Sequence, residues 1–336
     1  MSASRQPGAA TGFSRRLLTQ LGPLFALAFV IAIFAIADSQ QENGGKFLTG
    51  PNFKSILTQS AVVAMAALGM TLIIIGGGID LSAGTALSLC GTVTAWCLLH
   101  DWWPSLAIGA ALLTGCTAGA INGALISRLR VVPFIITLGT MTIYQGTAKY
   151  IAENTTVRPA LSQVPEWMDY LLIIVKPAWI LLPFGVWLVV VLGLVVSGIL
   201  RFTVFGRHII AMGSNEMAAH LCGINVNRMR VLLYTFAGLF VGLAGLLQFS
   251  RLSEGNPTSG TGKELAIIAA VVIGGGSLSG GRGSVLGTLT GAVMMEVISN
   301  GCTTLGIRNE LEEVILGAII IAAVWIDQIR ERRFAM

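Results

Sequence analysis

"MTLIIIGGGIDLSAGTAL" (70–87) is an apolar segment interrupted at its centre by three consecutive glycines and a carboxylate. In a soluble core Gly76, Gly77 and Gly78 would form a turn and Asp80 a cap. The flanks are apolar enough to place the segment in a bilayer. Lipid-exposed backbone must hydrogen-bond within its own segment, so a glycine-rich break is tolerated only against protein or a water-filled cavity. The stretch therefore predicts a broken helix inside a bundle, its glycines permitting close helix approach and unusual backbone angles.

Composition supports a membrane setting. The chain has 336 residues, 54% apolar and 11% charged, with a mean hydropathy of +0.79; soluble domains average about 25% charged residues. A net charge of +5 raises nucleic-acid binding only to dismiss it. The basic residues are scattered between apolar spans and not gathered on one face with aromatics. Cys90, Cys97, Cys116, Cys222 and Cys302 are widely spaced and form no C-x-x-C pair, so neither a zinc site nor a disulfide framework is expected. No cofactor or metal is expected.

A crossing helix needs about 20 mostly apolar residues, and roughly ten candidates can be laid down. They are 17–37, 56–75, 82–99, 105–126, 133–152, 178–200, 231–250, 264–279, 284–301 and 312–328. Glycine-rich pieces among them can be half-spans, so the expected architecture is an all-α polytopic membrane protein with about eight to ten crossings. A signal peptide competes for the first run, with "AIA" (35–37) as its cleavage-like site. The run is longer than a signal h-region, which favours an uncleaved first helix.

Arginine then orients the chain. Arg5, Arg15 and Arg16 hold residues 1–16 in the cytoplasm as an N-terminal tail. Alternation places Arg128, Arg130, the segment 201–230, Arg282 and the tail 329–336 on the same side. Most acids fall outside, among them Asp38, Glu42, Asp101, Glu153, Asp169, Glu254 and Glu310, and so do the lysines. Residues 17–328 form the membrane domain.

The opening motif has an echo. "IIIGGGIDLSAGTALSLCGTVTA" (73–95) resembles "VVIGGGSLSGGRGSVLGTLTGAV" (271–293), placing Gly274, Gly275 and Gly276 beside the first triple glycine. Both copies enter from outside, break near the inner side and return. This predicts a parallel internal repeat of the kind transporters use, unless glycine-rich membrane segments simply look alike.

Asp80 precedes Leu81 and Ser82 at the start of a new helix, where a carboxylate can cap free N–H groups. A substrate or proton site is the competing reading, and no second acid lies nearby in the sequence to form a relay. Asn122, Gln145, Glu296 and Asn300 are the other polar residues on apolar spans. Each can bond a neighbouring helix or line a polar path. Glu296 and Asn300, four apart on one face, are the best pair for a wet wall.

The longest internal segment, "RFTVFGRHIIAMGSNEMAAHLCGINVNRMRV" (201–231), is too polar at its centre to span. Asn215 to Cys222 reads as a short helix closed by Gly223, either a surface loop or a docking element. Tests for an enzyme fail. "PTSGTGKE" (257–264) lacks the first glycine and the hydroxyl of a phosphate loop, and the topology places it outside. No nucleophile elbow or clustered His and carboxylates appear.

Four stretches together resemble a known family. "LGMTLIIIGGGIDLSAG" (68–84), "AGAINGALISRLRVVPFIITLGTM" (118–141), "GSNEMAAHLCGINVNRMRVLLYTFAGLFVGLAG" (213–245) and "ELAIIAAVVIGGGSLSGGRGSVLGTLTGAV" (264–293) are similar, in order and spacing, to permease subunits of bacterial ABC importers for ribose, xylose and related monosaccharides. The resemblance covers roughly residues 55–328. It implies a non-catalytic pathway subunit in the bacterial inner membrane, with N- and C-termini cytoplasmic. The implied partners are a cytoplasmic ATP-binding subunit, an extracytoplasmic sugar-binding protein and a second permease copy or paralogue. ATP would bind in the partner subunit.

"NEMAAHLCGINVNRMR" matches the family's cytoplasmic coupling region. The resemblance makes Asn215, Glu216, Ala218, Ala219, Gly223 and Arg228 candidates for ATPase contact, with Glu216 and Arg228 pairing with the partner and the alanines allowing close approach. His220 followed by Leu221 is a mild departure, since relatives often carry a basic residue there. Rival readings are a branched-chain amino-acid permease of the same superfamily, an ion-coupled secondary transporter and an ion channel.

Overall fold

A computed structural model describes residues 9–41, 44–172 and 181–335. The Arg5 and Glu42 readings, residues 1–8 of the N-terminal tail, and the start of the 178–200 span lie outside the described residues.

The described residues form thirteen helices and no strand; a single bridge joins Val157 and Gly255. In chain order they are α1 (Ala9–Ser39), α2 (Gly50–Ile75), α3 (Ala83–Leu99), α4 (Pro104–Leu129), α5 (Pro133–Ile151), α6 (Glu166–Leu172), α7 (Phe184–Phe202), α8 (Val204–Ser214), α9 (Glu216–Leu221), α10 (Val226–Leu252), α11 (Lys263–Ile273), α12 (Val285–Thr304) and α13 (Asn309–Ala335). Six of them, α1, α2, α4, α7, α10 and α12, are long and apolar enough to cross a membrane. Helix α3 is shorter and equally apolar. The predicted spans 82–99, 105–126, 133–152 and 284–301 agree with helices to within a few residues. Helix α1 already runs from Ala9 and α13 continues to Ala335, so the described residues of both predicted tails are helical.

Helix α2 is the centre. Its residues from Ser60 to Ile75 are buried on every face, as expected of a helix that is apolar all round. It packs against α10, α12, α11 and α7. Helices α4 and α10 approach most closely, backbone to backbone, along a stripe of small residues. A side chain on Gly115 would strike Gly238 and Gly242, and one on Gly119 would strike the Tyr234 carbonyl. Small residues at such crossings let helices gain close dispersion contact where lipid offers no hydrophobic driving force. Helix α1 lies at the periphery against α12.

The region after α10 departs from the sequence expectation. The span predicted at 264–279 is an eleven-residue helix, α11, about 16 Å long and half of what a crossing requires. The segment before it, which includes "PTSGTG" (257–262), packs within the bundle. Gly255 packs on Thr92 and Ala95, the Gly260 N–H donates to Ser88 Oγ at 2.6 Å, and Glu264 lies against Gly84. Residues 255–262 thus run back along α3 for about two helical turns before α11 begins at Lys263. Glycines make this possible, since a Cβ on Gly84 or Gly260 would collide with the neighbouring carbonyl. A chain containing Pro257, two threonines and three glycines scores as a loop in sequence, and only packing reveals that it is re-entrant.

Contacts sort the helix ends into two sets. At one end Gln163 bonds Leu99 and Asp101, Arg158 pairs with Glu254, and Gln41 bonds the Leu305 carbonyl. At the other lie the two glycine breaks, α8 and Asp327, whose carboxylate accepts the Leu278 N–H at 3.4 Å.

Gly115→Val is expected to force α4 from α10 and destabilise the protein by about 1–3 kcal/mol, read as a lower thermal midpoint in detergent. Gly109→Ala, on the same helix with open space around it, is expected to leave the midpoint unchanged or slightly raised.

Candidate functional site

Both triple glycines end a helix in the same way. After α2, the Gly78 N–H donates to Ile73 O at 2.9 Å and Gly77 N–H to Ile74 O at 3.0 Å, with Gly77 at φ +80°. After α11, Gly276 N–H donates to Val271 O at 2.8 Å and Gly275 N–H to Val272 O at 2.9 Å, with Gly275 at φ +90°. This is the Schellman stop, in which a left-handed residue reverses the chain and consumes the last helix carbonyls. The sequence echo is therefore one backbone device used twice. The restarts differ: α3 begins at Ala83, but α12 begins only at Val285, after a longer turn.

The two breaks meet each other and a third segment. The Ile75 carbonyl, at the end of α2, accepts the Gly281 N–H at 2.8 Å. Gly213 of α8 lies against the same carbonyl so closely that a Cβ there would overlap it, and Gly280 lies against Gly77 and Gly213. The Met212 side chain of α8 reaches Gly76. Helix α8 is held on the bundle by its buried Gly206, Ile209 and Met212. A glycine-only junction thus joins the internal polar segment to both broken helices.

Asp80 sits within the first break but does not cap α3 as the sequence predicts, because the N-cap is Ser82 and no N–H inside the helix reaches the carboxylate. It is buried and accepts from Ser82 N–H at 2.8 Å and Ser82 Oγ at 2.6 Å. Asn122 of α4 donates through Nδ2 to Ser82 Oγ at 2.8 Å and, more weakly, to both Asp80 oxygens. Its own Oδ1 accepts from Tyr144 of α5 at 3.1 Å. The hydroxyls of Tyr234 and Thr137 approach the Ile79 carbonyl at 3.3 and 3.4 Å. Helices α4, α5 and α10 therefore supply the partners that lipid could not. The structure joins Asp80 to Asn122, and no signal in the sequence points to Tyr144 and Tyr234.

Glu296 and Asn300 do not act as a pair. Asn300 exchanges amide hydrogen bonds with Asn52 of α2 at 2.9 and 3.0 Å, clamping α12 to α2. Glu296 faces the charges of Arg251 and Lys263. Exposed polar groups at bundle depth lie elsewhere, on the re-entrant segment. Gln145 of α5 donates to Thr261 Oγ1 at 3.0 Å, and Thr258, Thr261 and Gly262 are open on that side.

The segment 201–230 folds as a succession of capped helices. Thr203, Asn215 and Asn225 each accept a backbone N–H two or three residues into the next helix, at 2.9–3.1 Å, as N-caps do. Gly223, at φ +87°, closes α9. Glu216 pairs with Arg230 of its own chain at 2.8 Å. Ala218 faces outward, whereas Ala219 is buried against the bundle and Arg228 is exposed. Met217 and Leu221, 74% and 81% exposed, form an apolar pair four residues apart on the outer face. Their spacing is legible in the sequence; their outward direction is not. Beside α9 opens a cleft of about 800 Å³ lined by Arg130, Pro133, Glu216, His220 and Arg230.

Residues 52–324 match the family described as the branched-chain amino acid transport system permease component. The chain belongs to this family. It is 36% identical to the ribose import permease protein of Escherichia coli strain K12 over 94% of this chain and 95% of that one. The ribose import permease protein of Bacillus subtilis strain 168 is 36% identical over 93% and 94%. The xylose transport system permease protein of E. coli strain K12 is 32% identical over 96% and 95%. No solved structure matches. Family and spans together make the chain a multi-pass membrane permease.

Asn122→Ala removes the amide that donates to Ser82 Oγ and Asp80, while the Tyr144 hydroxyl keeps the Ala118 carbonyl at 2.8 Å. It is expected to destabilise the protein by about 1–3 kcal/mol, measured as a drop in thermal midpoint. An unchanged midpoint would show that the Asp80 network does not hold the break.

Proposed function

We propose that this chain is the pathway subunit of an ATP-driven importer for a monosaccharide. Full-length likeness to ribose and xylose permeases supports sugar over a branched-chain amino acid. An ion-coupled carrier would need several carboxylates at one site, and Asp80 and Glu296 have separate surroundings.

Helix α9 is the contact for an ATP-binding subunit on the cytoplasmic side. The observation that carries this reading is the exposed pair Met217 and Leu221 on a six-residue helix whose other side is fixed to the bundle through Ala219. Asn215 caps that helix and Gly223 ends it, so both shape the contact; Ala218 permits close approach, and Arg228 is free to meet a partner acid. Glu216 acts within the chain by holding Arg230.

The junction supplies the mechanism. When two ATP-binding subunits close, α9 moves with them, and α8 moves with α9 because only Asn215 separates them. Gly213 presses on the Ile75 carbonyl, so displacement of α8 is felt at once by α2 and by the 274–284 break. Packed backbone has no compliant side chain to absorb the movement. An extracytoplasmic binding protein delivers sugar at the opposite end. The open face of Gln145, Thr258 and Thr261, completed by a second permease copy or paralogue, forms the wall along which a polyol can exchange hydrogen bonds. Catalysis and ATP binding reside in the partner. The N- and C-termini lie in the cytoplasm of a bacterial inner membrane.

Reconstitution with the ATP-binding and binding-protein partners, followed by ATP-dependent uptake of labelled pentoses, hexoses and leucine, tests the reading. Sugar uptake that needs ATP is expected. Met217→Glu with Leu221→Glu is expected to lower it at least about tenfold, the loss of one well-buried apolar contact or more, with membrane insertion retained. Gly213→Ala is expected to keep ATP hydrolysis while losing transport. Uptake of leucine alone, or uptake driven by an ion gradient without the ATP-binding partner, would overturn the assignment.

A further inference from the structure

At the end of the bundle opposite α9, the α3–α4 turn and the close of α5 enclose a hollow of about 580 Å³, walled by Trp96, Trp102 and Tyr150, with Glu153 at its rim. Its lower wall is apolar, from Val93, Ala110 and Ile151. The aromatic wall is built, and not a chance exposure. The Trp102 N–H donates to Cys97 O at 3.0 Å and Asp101 takes φ +58°, which folds Trp102 back beside Trp96 with ring centroids 6.1 Å apart. The His100 ring stacks on Trp96 at 4.1 Å, its Nδ1 within 2.8 Å of the Trp96 carbonyl. On the facing side, Glu153 and Asn154 adopt φ +49° and +57° in succession, fixed by the Asn154 N–H donating to Lys149 O at 2.8 Å. Left-handed backbone at two adjacent non-glycine residues is costly. Here it turns the chain so that Glu153 joins the lining of the hollow.

The Glu153 carboxylate has no hydrogen bond or ion pair among the described residues. A free acid beside aromatic rings in one hollow is the arrangement that attracts a cation, through ring quadrupole and charge together. It repels an anion. The apolar lower wall continues onto exposed Leu106, Leu113 and Ile143 of α4 and α5, a surface suited to acyl chains. Trp103, 76% exposed, extends the aromatic rim, and such rims mark the headgroup level of a bilayer. We propose that this hollow binds the ammonium headgroup of a phospholipid, phosphatidylethanolamine being the fitting chemistry, with its acyl chains lying along α4 and α5.

The full-length chain, placed in nanodiscs with equal phosphatidylethanolamine and phosphatidylglycerol and released for native mass spectrometry, is expected to retain the former about fivefold or more over the latter, the size of one cation–aromatic contact. Glu153→Gln, an exposed change, is expected to bring the ratio near parity, Trp102→Leu to do the same, and Glu153→Asp to restore much of it. Thermal midpoints of the variants report folding, so Glu153→Gln decides the matter even where Trp102→Leu is unstable. Equal retention by the unmodified chain would overturn the proposal. So would a Glu153→Gln ratio that does not change. If that variant instead weakens capture of the binding protein while lipid retention stands, the occupant is a basic side chain of that protein and the lipid site is refuted.

Discussion

A single backbone carbonyl, that of Ile75, organises the molecule. It ends the central helix, so it has no partner within that helix and lies too deep for bulk water. Unpaired, it would cost several kcal/mol in an apolar setting. The Gly281 N–H satisfies it, and that bond obliges the second break to sit beside the first. Gly213 completes the enclosure. Helix α8 and the second break must present glycine there, because a Cβ at Gly213 or Gly280 would enter space already filled by backbone, while Gly77 is required by its φ of +80°. The junction is dense for the same reason, and dense contacts transmit displacement.

The breaks consequently do more than interrupt helices. A Schellman stop satisfies its own last carbonyls, so each helix can end inside the bundle without help from lipid. The chain beyond each stop then needs partners of its own. After α2 these are side chains of α4, α5 and α10 gathered on Asp80, Ser82 and Ile79. After α11 the connection is longer and is met by α2, α8 and Asp327 of α13. The two halves of the echo share a way of stopping and diverge in their connections, which matches one half being packed as scaffold and the other leading to the internal segment.

Polar residues in the bundle divide along similar lines. Asn122, Asn52 and Asn300 are spent on holding helices together, each with a matched amide or hydroxyl. Thr258 and Thr261 are exposed, and with Gln145 they keep hydrogen-bonding capacity beyond their bonds to Asn256 and to each other's segment, which suits a water-filled path or a neighbouring subunit. Burial, and not residue type, separates the structural set from the set available to a passing polyol.

Hydrophobic run lengths and punctuation by glycine and arginine were enough to determine an all-α membrane protein, most span positions, the place of Asp80 in the break and the short helix after Asn215. These are local matters: apolar length, helix stops and caps are written in neighbouring residues. Four motifs in register also carried the permease resemblance. Tertiary structure alone decided that Ala219 turns inward while Met217 and Leu221 turn out, that Asn300 serves Asn52 and not Glu296, and that residues 255–262 re-enter along α3 before a half-length α11. For the last two the deciding partner is remote in sequence, 248 positions away for Asn52 and Asn300 and 172 for Ser88 and Gly260. Glycine, amide and hydroxyl groups carry no label of which remote neighbour will satisfy them.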